Sequence, residues 1–153
     1  MKKSLLSIGA ALVVVLTPGA SFAKNTQEPT STLVPLSTFA NAKNFTTSIQ
    51  IQPEARGSEG PFYARNVPPG YAAEIAIATT VAGGISVGGY FADGAQIIVV
   101  NVNNYNQYSG PIISGTVSAL NDYVNCPSGT YEVYVGNPTT KTQSYGPLTV
   151  YYN

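Results

Sequence analysis

A chain of 153 residues without one His lacks the side chain that most often serves as general base, metal ligand and partner of a Ser or Cys nucleophile. Its Ser, Thr and Tyr hydroxyls would need activation by a Lys or a carboxylate. Lys24, Lys43 and Lys141 all fall in stretches of loop or arm composition, which is not the buried setting that makes a Lys a catalytic base. The run Gly83-Gly84-Ile85-Ser86-Val87-Gly88 has the glycine spacing of a nucleophile elbow. It lacks a following helix and a base, so it reads as a turn entering a strand. Paired carboxylates of the glycoside-cleaving kind would come from Glu54, Glu59, Glu74 and Glu132, and no spacing selects two of them. Asn121, Asp122 and Asn125 form an Asx cluster that falls short of the roughly six to eight oxygens calcium takes. A turn closed by Asx side chains accounts for it. The expectation is a protein that is not an enzyme, with no catalytic residue, no metal and no cofactor.

Contact chemistry is better represented than reaction chemistry. Residues 101–109 read Asn-Val-Asn-Asn-Tyr-Asn-Gln-Tyr-Ser. There Tyr105 and Tyr108, with Asn104 and Asn106, offer rigid aromatic area beside adaptable hydrogen bonding. Asn- and Gln-rich tracts also stack in β assemblies. The one cysteine, Cys126, lies in the turn-like Asn125-Cys126-Pro127-Ser128-Gly129, which makes it a candidate for an interchain disulfide or a free thiol. Charge excludes a further class. Seven Lys and Arg against seven Asp and Glu, a charged fraction of 9%, cannot build the basic face that nucleic-acid binding needs. With 44% hydrophobic residues and eleven Tyr, the chain should fold rather than stay disordered.

The elements that must position these residues begin after a leader. Lys2 and Lys3, an apolar stretch over residues 5–16 and the Ser21-Phe22-Ala23 site make residues 1–23 a secretory signal peptide. The apolar stretch is shorter than the roughly twenty residues a membrane span requires, so no span is expected. The mature protein would be secreted, extracellular or on the cell surface. It would carry Lys24, Lys43, Arg56, Arg65 and Lys141 against seven acidic residues. Residues 24–44 read as an extended arm rich in Thr, Ser, Asn and Pro, with Leu33, Val34 and Phe39 as docking residues.

From residue 45 onward, short β-branched and aromatic runs alternate with Gly, Pro and Asn clusters. This predicts a β-sandwich domain over residues 45–153: all-β, antiparallel, immunoglobulin-like and of about seven strands, with a small β-barrel as the alternative. The expected strands cover residues 45–51, 71–81, 85–91, 96–102, 112–120, 130–135 and 147–153. In the first of these, Phe45, Thr47, Ile49 and Ile51 share a face. In residues 71–81, Ala72, Glu74, Ala76, Ala78 and Thr80 form a small-residue face, opposite Tyr71, Ala73, Ile75, Ile77, Thr79 and Val81. Ile97 to Val100 is apolar on both faces, the mark of a central strand. Tyr131, Val133 and Val135 point inward and Thr130, Glu132 and Tyr134 outward. Residues 53–70 read as a long loop, 121–129 as another, and residues 147–153 as an edge strand guarded only by Pro147.

The closing strand, with its penultimate Tyr152, resembles that of chaperone-assembled pilus subunits. The resemblance is confined to that strand, and one Cys cannot supply the internal disulfide those subunits usually carry. The segment from Ser128 to Val135 resembles the turn and penultimate strand of bacterial immunoglobulin-like modules.

The functional expectation is an exported, non-catalytic β-sandwich protein that self-associates as an extracellular or surface structural subunit. In it, one chain's arm would complete another chain's sheet. A monomeric carbohydrate- or protein-binding module using the Tyr105 loop is the first alternative. A secreted inhibitor or toxin presenting residues 53–70 is the second. The expected partners are a second copy of the chain, an extracellular protein or a glycan.

Overall fold

The computed structural model describes residues 31–44, 57–81 and 83–153. The signal peptide expected at 1–23 and the strand expected at 45–51 lie outside these residues. The described strands are β1 (Leu33–Pro35), β2 (Lys43–Asn44), β3 (Gly57–Val67), β4 (Tyr71–Thr80), β5 (Ile85–Phe91), β6 (Gln96–Asn101), β7 (Gln107–Ile112), β8 (Val117–Val124), β9 (Gly129–Asn137) and β10 (Gln143–Tyr152). They form two sheets, ordered β1-β4-β9-β6-β7-β2 and β3-β10-β5-β8. Each described pairing is antiparallel except that of β2 on β7. The sheets stack on a core that includes Phe91, Ile97, Tyr131, Tyr145 and Leu148. The fold is an all-β sandwich with two separate sheets, so the barrel alternative does not hold.

Alternation of apolar and polar residues explains most of the placement. Tyr131, Val133 and Val135 are wholly buried on the inner face of β9, as period two requires. Leu148 and Val150 do the same in β10. Strand β6 lies between β9 and β7 and buries both faces, Ile97 and Val99 inward and Ile98 and Val100 outward.

The outward pair is covered by the chain's own N-terminal segment. β1, one turn of 3-10 helix at Leu36–Phe39 and β2 form a strap across the outer face of the six-stranded sheet. Phe39 packs there with Ala72, Ile98, Val100 and Tyr134, its ring centroid 5.1 Å from that of Tyr134. The Leu36 N–H donates to the Gly70 carbonyl at 2.8 Å. Gly136 makes room for the strap, since a Cβ at that position would stand 2.7 Å from Leu36 Cδ2.

Several expectations are corrected. Residues 31–44 are docked on their own sheet rather than extended as an unpaired arm. Tyr134, expected outward, is buried because the strap covers it. The expected face of Tyr71, Ala73, Ile75, Ile77, Thr79 and Val81 is broken by a register shift between Glu74 and Ala76. The bulge inverts the alternation, so Ala76 and Ala78 pack on the core while Ile77 is 55% and Val81 64% exposed. The long loop expected at 53–70 contains an eleven-residue strand, β3. The expected strand at 112–120 is instead the end of β7 and the start of β8, and β8 runs into the loop expected at 121–129. Finally, β10 is not an edge. It lies between β3 and β5, which satisfies the ladder groups that an exposed last strand would present.

Candidate functional site

The Tyr105 loop is a tight turn built by its own amides. The Asn101 N–H donates to the Asn106 carbonyl at 2.9 Å, and the Tyr105 N–H donates to the Asn101 carbonyl at 2.9 Å. Asn101 Oδ1 accepts from the Asn103 and Asn104 N–H groups at 3.0 and 3.2 Å. Asn104 Oδ1 accepts from the Asn106 N–H at 3.0 Å. These Asx contacts close the turn and hold Tyr105 at φ 57° with its side chain 77% exposed. Asn104 and Asn106 are exposed beside it.

Tyr108 does not join this surface. It lies in β7 opposite Val99, faces the core, and packs edge-on against Tyr131 with centroids 6.1 Å apart. The expected two-tyrosine contact surface is corrected to one tyrosine, because β7 begins at Gln107 and turns Tyr108 inward.

The arm residues are likewise spent within the chain. Leu33 pairs with Ala73 and Val34 with Ala72, and Phe39 is buried in the strap. Val34 and Phe39 are therefore not offered to a neighbour for docking in the expected way, whereas Leu33 stays 44% exposed. Cys126 is buried, with 3% exposure. Its carbonyl accepts from the Gly84 N–H at 2.9 Å, and burial pushes its thiol up to about 11. The Tyr131 hydroxyl donates to the Pro127 carbonyl at 2.9 Å, which folds this loop onto the core. That placement makes Cys126 the buried free thiol of the two alternatives and withholds it from an interchain disulfide.

Asp122, from the Asx cluster, also points inward. It lies opposite Val87 in β5 and against Gly110 of β7, where a Cβ would stand 2.7 Å from Oδ2. Its Oδ2 has no hydrogen-bond partner. Burial pushes the carboxyl up to about 7, against a downward pull from hydrogen bonds to the Tyr123 and Ile97 backbone. Asn125 is exposed, so it and Asp122 do not converge on a cation. Among the described residues no three Cys, Asp or Glu side chains gather into a metal site.

A further surface that departs from an ordinary polar exterior lies along β3 and β4. β1 pairs with Tyr71, Ala72 and Ala73 only, and the Glu74 N–H donates to the Thr32 carbonyl at 3.0 Å. Beyond that point β4 continues to Thr80 with β9 on one side and no described strand on the other. A groove of about 570 Å³ runs between this edge and β3, lined by Leu33, Phe62, Tyr63, Arg65, Ile75 and Ile77 among others. Leu33 is 44% and Tyr63 46% exposed. The Arg65 guanidinium sits 5.5 Å over the Tyr63 ring, a cation–π contact.

Beside the groove the sheet brings together two acids that sequence spacing did not pair. Glu74 lies opposite Tyr134, whose hydroxyl donates to Glu132 Oε2 at 2.8 Å. Partial burial, and then the Glu132 charge, hold the Glu74 carboxyl above its usual range. Sequence reading missed this flank because it depends on the shortness of β1 and on the β4 bulge. The usable signal was Ile77 and Val81 themselves, in a run without Lys or Pro.

Comparison with known protein families, with curated proteins and with solved structures finds no match to this chain. Among the described residues no helix is long and apolar enough to cross a membrane.

Proposed function

We propose that this chain is an exported, non-catalytic β-sandwich protein that works by surface contact and self-associates as an extracellular or surface structural subunit. The observation that carries the reading is the β3–β4 flank. There Leu33, Tyr63 and Ile77, all exposed, share one groove beside a stretch of sheet edge that no described strand pairs. Edge strands are normally blunted by charge, Pro or cover, and an open apolar edge invites another strand. Low charge supports the reading, since little repulsion opposes assembly of a 9% charged chain. Export rests on the sequence of residues 1–23.

The test is absolute mass by light scattering on residues 24–153 over a concentration series, with and without reductant. Concentration-dependent species larger than a monomer support the proposal, and reductant should leave them unchanged because Cys126 is buried. A strict monomer throughout overturns it.

A second reading, a module that binds a glycan or an extracellular protein, is favoured by Tyr105 alone. Its ring stands free at a turn tip fixed by the two Asn side chains, the arrangement in which an aromatic stacks on a sugar or anchors a contact. It predicts that Tyr105→Ala abolishes binding on a glycan array while moving the folding free energy by no more than about 0.5 kcal/mol.

A further inference from the structure

We propose that Asp122 works as a proton-operated latch on the β7–β8 side of the sandwich: protonated, its side chain lets β8 lie closed on β6 and β7, and ionised, it drives that side open.

The latch stands on the position of its strand. Among the described strands β8 pairs with β5 and with no other, at the end of the four-stranded sheet. Asp122 lies opposite Val87, is buried and reaches across to the other sheet. Its carboxyl accepts from the Ile97 N–H, at the point where the β6–β7 ladder shifts register between Gln96 and Ile98. Its Oδ2 lies over Gly110 of β7, where a Cβ would stand 2.7 Å away. A side chain at position 110 would push the acid out, so glycine there is what admits it. One edge strand is thus tied to two strands of the opposing sheet through a single carboxyl group.

The same carboxyl is incompletely satisfied. Oδ2 has no hydrogen-bond partner. The neutral acid tolerates that position, whereas the anion loses its water there and gains no donor in exchange. Nor does a described neighbour offer a countercharge. β5, β6 and β7 contain no Lys, Arg, Asp or Glu, and their titratable side chains are the phenols of Tyr90 and Tyr108. Tyr123 is the adjacent titratable group on β8 itself. Lys43 of β2, in register with Tyr108, is exposed at the rim of this side, where it lines a hollow with Tyr108 and Tyr123. Burial accordingly pushes the Asp122 carboxyl up to about 7, more than the Tyr123 and Ile97 N–H groups pull it down.

Moving β8 relieves the anion with the least disruption. When β8 swings away from β6 and β7, the carboxylate returns to water while β5 keeps its pairing with β10 and the six-stranded sheet keeps all its ladders. Openings of this local kind lie below global unfolding in free energy. The closed state holds a proton that the open state releases. The opening constant therefore rises about tenfold for each pH unit between the ordinary carboxyl value and the raised one, and levels off above it.

The experiment is amide hydrogen exchange on the unmodified chain from about pH 5 to about pH 8, corrected for the intrinsic pH dependence of exchange. Residues 117–124 are expected to lose protection about tenfold per pH unit up to about pH 7 and to level off beyond it. At every pH they are expected to exchange ahead of residues 129–137 in β9. Asp122→Asn keeps an acceptor for the Ile97 N–H and cannot ionise, so its β8 protection is expected to stay flat across the range. Equal protection of β8 and β9 in the unmodified chain means that the acid acts only on whole-molecule unfolding, and overturns the latch. A β8 slope that is absent from the unmodified chain, or that survives in Asp122→Asn, overturns it as well. If Asp122→Asn does not fold, the slope and the ranking of β8 against β9 in the unmodified chain decide alone.

Discussion

A buried acid with one oxygen left unbonded ties folding to a proton. Asp122 is 5% exposed, and burial pushes its carboxyl up to about 7 from the ordinary 3.8 of a water-exposed side chain. The folded chain therefore holds a proton that the unfolded chain releases, and stability falls as pH rises between those two values and levels off above them. Across that window the loss is on the order of 4 kcal/mol. Thermal unfolding followed from about pH 4 to about pH 8 should show the midpoint descending over this range. Asp122→Asn, which cannot ionise, should raise the midpoint at about pH 8 and flatten the profile; an unchanged slope would count against the assignment. At this scale the sequence was least informative. Asp122 and Cys126 sit in turn-like composition, and nothing in the composition says that the main chain folds their side chains inward. Tyr108 illustrates the same point: three positions from Tyr105, it is separated from it by the start of β7 and turned to the core.

At the scale of elements, the strap is the feature that the pattern half disclosed. Residues 97–100 are apolar on both faces, and that was legible as a central strand. What covers the second face was not legible, because Val34, Leu36 and Phe39 show no period of their own. Their spacing is set by a short strand followed by a single 3-10 turn. Phe39→Ala should cost about 3 kcal/mol of stability, measured as a lowered urea midpoint, because it empties the contact with Ile98, Val100 and Tyr134. The β4 bulge illustrates a different gap. An extra residue in a strand leaves no mark in composition, yet it decides that Ile77 faces water and Ala76 the core.

For the whole molecule, alternating runs and turn residues were sufficient to give two antiparallel layers, whereas the order of strands within each layer was not readable. Order depends on which edges meet in space, and the chain's last strand shows how far that departs from sequence position. In the four-stranded sheet, β10 is the bridge between β3 and β5. A chain ending at residue 142 should lack cooperative unfolding and near-ultraviolet dichroism, because β3 loses its described partner in the sheet. The same topology sets a clock. Of the described strands, β10 is the last to leave the ribosome, so the four-stranded sheet stays incomplete until those ten residues arrive. Until then β3 waits without its described partner while β5 can already pair with β8, and one late segment closes a sheet whose other half is in place.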